Sequence, residues 1–216
     1  MMRRLFVTGT DTGAGKTFVT AALARQARAH GKKVFAFKPI ETGCERINDR
    51  LVGPDQQIIC AAAGDWQTGE LRGLYHLVHP LAPLVAARAE GTTIDIDKIV
   101  TTALSVSDAD LLLVEGAGGW RVPITEGEDM SGLARRLDAS VVVVARAGLG
   151  TINHTLLTVE AVERDGLPIH AVVLSRRPGE DIDFALSNRD QIQRQWPGRI
   201  IMFDDDPSVL DPLIPT

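Results

Sequence analysis

The chain has 216 residues, 44% of them hydrophobic, enough to bury one sizeable core, so we predict a single domain over residues 1–216. Its formal net charge of −5 excludes the basic field that would favour binding to nucleic acid or to an anionic membrane surface. No apolar run approaches the ~18 residues of a membrane span, and the run Leu5 to Val7 is too short for a signal peptide. The two cysteines, Cys44 and Cys60, show no metal-binding spacing, so we expect reduced thiols in a cytoplasmic protein.

Apolar runs that alternate with helical patterns predict the fold. In chain order the predicted strands are RLFVTG, KVFAFKP, DLLLVEG, SVVVVAR, HAVVLSR and RIIMF. The central runs are apolar at consecutive positions, which is typical of parallel strands covered by helices on both faces. We predict helices over 16–30, 152–165 and within SNRDQIQRQWPG, and loops with short helices over 39–80. The sequence thus predicts an α/β fold with a doubly wound, mainly parallel sheet.

The first loop lies in FVTGTDTGAGKTFVTAALA, residues 6–24. A strand, a glycine-rich turn and a helix that begins near Lys16 and Thr17 can surround a phosphate with backbone N–H groups. Lys16 would reach the outer phosphates and Thr17 would bind Mg²⁺. The general pattern requires glycine at position 10, where this chain has Thr10, and Gly9 lies one residue too early. The alternative is a plain turn before a helix; we favour a phosphate site and a P-loop NTPase-like fold.

Two acidic residues are candidate Mg²⁺ ligands. Glu115 follows the apolar strand DLLLV directly, at the edge of a parallel sheet where ligands bind. Asp55, in VGPDQQ, could bind Mg²⁺ or a water on it. The alternatives are a cap at the end of a strand for Glu115 and an ordinary helix N-cap for Asp55.

Lys38 ends the apolar run VFAF at the same edge. Because Lys16 is expected nearby, two ammonium groups would repel each other unless anions bind between them. This predicts a substrate with negative charge beside the terminal phosphate. The alternative is a lysine whose ammonium group extends from the sheet edge into solvent.

Four segments in this order, FVTGTDTGAGKT, FKPIETG, LLLVEGAGGW and GLGTINHTLLT, resemble the dethiobiotin synthetase family. The family's version of the phosphate loop includes the early Gly9. The resemblance implies an ATP- and Mg²⁺-dependent ring closure. CO₂ adds to an amine of 7,8-diaminononanoate to form a carbamate, which attacks the γ-phosphate of ATP. The second amine then closes the ring and phosphate leaves.

The resemblance also implies roles for individual residues. Lys16, Lys38 and Thr12 would be catalytic, with Lys16 on the γ-phosphate and Lys38 on the carbamate oxygen. Mg²⁺ would be bound by Thr17, Asp55 and Glu115, and Thr12 and Thr42 would contact the diamine and the carbamate. The remaining predicted ligand contacts are Gly13, Ala14, Gly15 and Phe18 along the triphosphate, Gly116, Ala117 and Gly118 in the third loop, and Ser175, where many members have an asparagine that reads adenine.

The family's homodimer holds the far carboxylate of the substrate at the neighbouring subunit. By resemblance, Gly150, Thr151 and Asn153 would form that site, since free N–H groups at a helix N-terminus bind carboxylates. Expected partners are therefore 7,8-diaminononanoate, CO₂, ATP and a second copy of the chain.

Two other functions are compatible with a phosphate loop. A partitioning or switch ATPase usually has an additional lysine where this chain has Asp11, and has no need of Lys38 followed by Pro39. A non-catalytic nucleotide-binding module or metallochaperone would be rich in His or Cys, whereas this chain has five His and two Cys.

Overall fold

The computed structural model describes residues 2–48 and 50–215; residues 1, 49 and 216 of the predicted domain lie outside the described residues. Its elements are, in chain order, β1 (Arg3–Gly9), α1 (Lys16–Ala29), β2 (Val34–Phe37), β3 (Ile40–Thr42), β4 (Glu45–Ile47), β5 (Arg50–Val52), α2 (Pro54–Ala62), β6 (Tyr75–Leu77), α3 (Pro83–Ala89), α4 (Ile96–Leu104), β7 (Leu111–Gly119), α5 (Met130–Arg136), β8 (Ser140–Arg146), α6 (Thr151–Arg164), β9 (Ile169–Ser175), α7 (Ile182–Gln195) and β10 (Ile200–Phe203). Single 3₁₀ segments cover Gly69–Arg72 and Pro207–Leu213.

The six predicted strands form one sheet in the order β10-β9-β8-β1-β7-β2, and every neighbouring pair is parallel. The strands β7 and β8 follow each other in the chain but lie on opposite sides of β1. Their following loops therefore diverge and open a crevice at the carboxyl end of β1, where open parallel sheets bind ligands. The predicted doubly wound fold is confirmed.

Apolar side chains cover both faces of this sheet. Successive residues of a strand point to opposite faces, so Leu5 belongs to the core beneath α1 and α2 and Phe6 to the core beneath α3 to α7. Both side chains are fully buried. This two-sided burial explains why the strand sequences are continuously apolar.

The helices begin and end close to the predicted positions. The predicted segment 16–30 is α1, and α6 begins one residue before its predicted start, at Thr151. The helix α7 begins earlier than the predicted segment because Asp181 caps it, accepting a hydrogen bond from the backbone N–H of Phe184 at 3.0 Å. Among the described residues, none of the helices combines the length and apolarity needed to cross a membrane.

The segment 39–80 contains more regular structure than predicted. Besides α2 and a 3₁₀ turn, it holds a parallel pair, β3 with β6, and an antiparallel pair, β4 with β5. These strands are three residues long, too short to produce a recognisable periodic pattern. In the first of these pairs Glu41 lies opposite His76 and Thr42 opposite Leu77, and β3 follows the carboxyl end of β2 in the chain.

Candidate active site

The phosphate loop connects β1 to α1 and is shaped by three glycines. Gly13 and Gly15 have φ values of 76° and 100°, which side chains rarely adopt. Gly9 has a different reason: a Cβ there would lie 2.7 Å from the carbonyl oxygen of Asp11 and 3.1 Å from Nζ of Lys16. The early glycine therefore permits the loop to fold tightly around Lys16, whose Nζ donates to the Asp11 carbonyl at 3.4 Å.

Behind this loop, four polar side chains form one connected network. The Thr17 hydroxyl donates to Oε1 of Glu115 at 2.8 Å, and Nζ of Lys38 donates to the same oxygen at 2.9 Å. Nζ of Lys38 also forms an ion pair with Asp55. Glu115 has 0% exposure, and Lys38 is buried as well. Side chains predicted as site residues in four separate segments thus meet at one point.

The charges of this network affect the two lysines in opposite ways. Burial lowers the pKa of Lys16 below 10.5, an effect that the charge of Glu115 only partly offsets. Burial also acts to lower the pKa of Lys38, but the charges of Glu115 and Asp55 outweigh it and raise that pKa above 10.5. The positive charge of Lys38 is therefore balanced by two carboxylates of the protein itself. From the sequence we inferred that repulsion between the two lysines requires an anionic substrate. Because Glu115 and Asp55 balance the charge of Lys38, the repulsion does not by itself require one.

The same oxygens are suited to Mg²⁺. Mg²⁺ prefers hard oxygen ligands, usually one or two carboxylates supplemented by phosphate and water oxygens. Oε2 of Glu115 is buried and has no hydrogen-bond partner among the described residues, and a buried carboxylate oxygen is costly without one. Together with the Thr17 hydroxyl and the partly exposed Asp55 carboxylate, this oxygen fits a divalent cation that also binds a nucleotide phosphate.

A cavity of about 910 Å³ opens in front of the network. Most of the predicted contact residues line it: Thr12, Gly13, Gly15, Lys16, Thr17, Phe18, Lys38, Thr42, Asp55, Ala117 and Gly118. The segment Pro80 to Pro83 also lines the cavity and was not predicted. Its two prolines could have indicated an ordered segment at this place, because proline restricts the backbone and favours a rigid turn over a mobile loop.

Other predicted residues support the cavity without lining it. Ala14 is fully buried, and a Cβ on Gly116 would lie 3.1 Å from the ring of Phe6. Ser175 lies under the phosphate loop, with its Oγ 2.7 Å from the position of a Cβ on Gly15. These residues set the position of the backbone that faces the ligand.

The predicted carboxylate site lies elsewhere. Gly150, Thr151 and Asn153 are at the N-terminus of α6 and do not line the cavity. The Thr151 hydroxyl is buried and hydrogen-bonded to that of Thr155 at 3.3 Å, whereas Asn153 is exposed. The adjacent Leu149 has 95% exposure. A contribution of this segment to a neighbouring subunit's site stays a prediction.

Arg177 is a contact that the sequence analysis missed. Its Nη2 donates to the carbonyl oxygen of Gly13 at 3.0 Å, so the segment after β9 holds the phosphate loop from above. The position of Arg177 after a parallel strand predicts that it lies at the ligand edge, but the contact with Gly13 could not be predicted because the two residues are distant in the chain.

A phosphate loop at the end of a central parallel strand, with a helix that begins at Lys16 and an acidic residue on the neighbouring strand, defines a P-loop nucleotide-binding protein. A family model described as an AAA domain matches residues 3–201. Among solved structures, the septum site-determining protein MinD of Pyrococcus horikoshii OT3, complexed with Mg-ADP, has a TM-score of 0.57 at 17% identity, over 100% of this chain and 87% of that one. At that identity the likeness shows the fold alone.

Sequence comparison identifies the family within this class. The ATP-dependent dethiobiotin synthetase BioD of Anaeromyxobacter dehalogenans (strain 2CP-C) is 45% identical over 89% of this chain and 85% of that protein. The protein of the same name from Marinobacter nauticus is 40% identical over 76% of this chain and 71% of its own length. The chain belongs to the dethiobiotin synthetase family, and the resemblance inferred from its four motifs is confirmed.

Proposed function

We propose that the protein is an ATP-dependent dethiobiotin synthetase. It carboxylates 7,8-diaminononanoate with CO₂ and closes the ring, producing dethiobiotin, ADP and phosphate, as the name of its relatives indicates. The observation that carries this proposal is the position of Lys38, which lies beside the phosphate loop within reach of Glu115 and Asp55. A plain nucleotide-binding module has no need of a second buried lysine at this point.

In this proposal the phosphate loop binds the triphosphate of ATP. Lys16 lies on the γ-phosphate, and the backbone N–H groups at the start of α1 surround the phosphate oxygens. Mg²⁺, bound by Thr17, Asp55 and Glu115, supplies positive charge against the phosphate oxygens. The otherwise unpaired Oε2 of Glu115 supports this assignment.

Lys38 acts as a fixed positive charge and hydrogen-bond donor. Its raised pKa keeps the ammonium group protonated at neutral pH, so it is unsuited to act as a general base. It can hold the carbamate oxygen as that oxygen attacks the γ-phosphate, since phosphoryl transfer depends mainly on positioning and charge. The hydroxyls of Thr12 and Thr42, two residues that line the same cavity, would orient the diamine.

The proposal extends to the assembly and its location. A homodimer would place Gly150, Thr151 and Asn153 of one subunit at the far carboxylate of a substrate bound to the other. Residues 1–216 would act as one domain, supported by apolar cores that share one sheet, and the enzyme would work in the cytoplasm, where ATP is available.

Phosphate release tests the reaction. Purified protein with Mg²⁺, ATP and bicarbonate should release phosphate only after 7,8-diaminononanoate is added, and dethiobiotin should form in equal amount. Matched reactions without bicarbonate or with an unrelated diamine serve as controls. Phosphate release that does not depend on the diamine, or no release with all components present, would contradict the proposal.

A further inference from the structure

Glu41 is a buried carboxylate outside the set of predicted site residues. It lies on β3 with 3% exposure, and neither the sequence patterns nor the family resemblance assigned it a role. Its Oε1 accepts a hydrogen bond from the backbone N–H of Asp55 at 2.8 Å, and its Oε2 accepts one from the N–H of Gln56 at 3.0 Å. Both oxygens therefore bind the first turn of α2.

The helix α2 depends on this contact from another strand. Its N-cap residue is Gly53, which has no side chain to accept a hydrogen bond, and Pro54 follows it. The first N–H groups of a helix have no partner within the helix and carry a partial positive charge. The Glu41 carboxylate supplies both the missing acceptors and a complementary charge.

The two residues that Glu41 holds both contact Lys38. The side chain of Asp55 forms an ion pair with Nζ of Lys38. The side-chain Oε1 of Gln56 accepts a hydrogen bond from the backbone N–H of Lys38 at 2.5 Å. One buried carboxylate thus sets the position of α2 relative to both ends of the lysine.

Gly53 leaves the space that the Glu41 carboxylate occupies. Its φ of −91° is open to any residue, so backbone conformation does not explain the glycine. A Cβ at this position would lie 2.2 Å from Oε2 and 2.7 Å from Cδ of Glu41, and 3.0 Å from Cδ2 of His76. The absent side chain makes room mainly for Glu41.

From these contacts we infer that Glu41 is a positioning residue that holds Asp55 in place to bind Mg²⁺. The inference rests on the proposed function, because it takes Asp55 as a Mg²⁺ ligand. Partners that orient metal ligands contribute to metal affinity although they never touch the metal. Loss of the Glu41 carboxylate should therefore weaken Mg²⁺ binding.

The test measures Mg²⁺ dependence in the full-length wild type and in Glu41→Ala, Glu41→Gln and Gly53→Ala. For each protein, one titration follows the rate of phosphate release, and a second follows binding of a non-hydrolysable ATP analogue by calorimetry. We expect Glu41→Ala to raise the Mg²⁺ concentration at half-maximal binding about tenfold or more. Glu41→Gln, which keeps one acceptor oxygen, should give an intermediate value.

A double-mutant cycle separates positioning from a general effect on packing. Gly53→Ala alone should raise the Mg²⁺ midpoint because its methyl group displaces the carboxylate. In the Glu41→Ala background the same substitution should have little further effect, since the group it displaces is gone. The contact with His76 remains in both backgrounds and serves as an internal control.

The possible failures are distinguishable. An unchanged Mg²⁺ midpoint in folded Glu41→Ala, or additive effects in the cycle, would overturn the role of Glu41. If Glu41→Ala does not fold, Glu41→Gln and Gly53→Ala decide the question. A wild-type protein that binds the ATP analogue with Mg²⁺ but forms no dethiobiotin would contradict the proposed function, while the binding titrations would still test Glu41.

Discussion

Nζ of Lys38 lies 2.9 Å from Oε1 of Glu115, and both groups are buried. The same oxygen accepts the hydroxyl hydrogen bond of Thr17, so the phosphate loop and the second strand of the sheet are linked through one carboxylate. A buried ion pair becomes costly when one partner is removed, because the other charge remains without compensation.

Replacing Lys38 by alanine should abolish turnover far more than nucleotide binding. We expect kcat to fall on the order of 10²–10³-fold, the usual loss when a donor to a developing charge is removed. Affinity for a Mg²⁺-bound ATP analogue should change only a few-fold. Lys33→Ala is the control, because that lysine pairs with Asp108 at the surface. A large loss of nucleotide affinity with turnover retained would show that Lys38 serves the nucleotide instead.

Lys16→Met should stabilise the ligand-free protein while abolishing ATP binding. Lys16 is buried, and among the described residues its Nζ donates one long hydrogen bond of 3.4 Å, to the Asp11 carbonyl. Burial outweighs the nearby carboxylate charges, so the ammonium group is poorly compensated before the nucleotide binds. Thermal unfolding of both proteins without nucleotide measures the difference. A lower Tm for Lys16→Met would contradict this account.

The same lysine predicts a pH dependence. The pKa of Lys16 is lowered by burial, so between that folded-state pKa and 10.5 the unfolded chain binds more protons than the folded one. The stability cost of Lys16 should accordingly shrink as the pH rises toward 10.5. The difference in unfolding free energy between Lys16→Met and the wild type should therefore decrease as the pH rises from the folded-state pKa of Lys16 to 10.5. A difference that stays constant over this pH range would contradict the lowered pKa of Lys16.

Gly15→Ala should impair the phosphate loop more than a comparable change elsewhere. The φ of 100° strains any side chain, at roughly 1 kcal/mol, and the new Cβ would also meet Oγ of Ser175 at 2.7 Å. Gly166→Ala has a similar strain, with a φ of 76°, but nothing lies within 4 Å of its Cβ. Binding of the ATP analogue should be weakened in Gly15→Ala and unchanged in Gly166→Ala. Adding Ser175→Gly should recover part of the loss.

Mixing two defective variants tests the shared site. Asn153→Asp places a negative charge where the substrate carboxylate is proposed to bind, and an acidic residue in the first turn of α6 does not weaken the helix. This variant should have a raised KM for the diamine. Random mixing with Lys38→Ala yields heterodimers with one intact site each, restoring about a quarter of wild-type activity. No recovery on mixing, with dimers confirmed by light scattering, would mean that each site is built within one chain.

Much of this architecture could be predicted because it depends on continuous patterns. The apolar runs specify the six strands, and residues that follow parallel strands must collect at one edge, which brings Lys16, Lys38 and Glu115 together. Contacts across large sequence separations without a pattern could not be predicted. Glu41 lies fourteen positions before Asp55, from whose backbone N–H it accepts a hydrogen bond, and Arg177 contacts Gly13 from the other end of the chain.

The strand that carries the phosphate loop takes both of its neighbours from much later in the chain. Val7 pairs with Glu115 on one side and Val142 on the other, and the backbone N–H of Thr10 donates to the carbonyl of Val144 at 2.9 Å. During synthesis, the ribosome therefore releases the complete loop long before the residues that hold it exist. Since pairings between distant segments form slowly, we expect the loop to bind nucleotide only after β7 and β8 have paired with β1. The first functional element to be made is among the last to become able to bind its ligand.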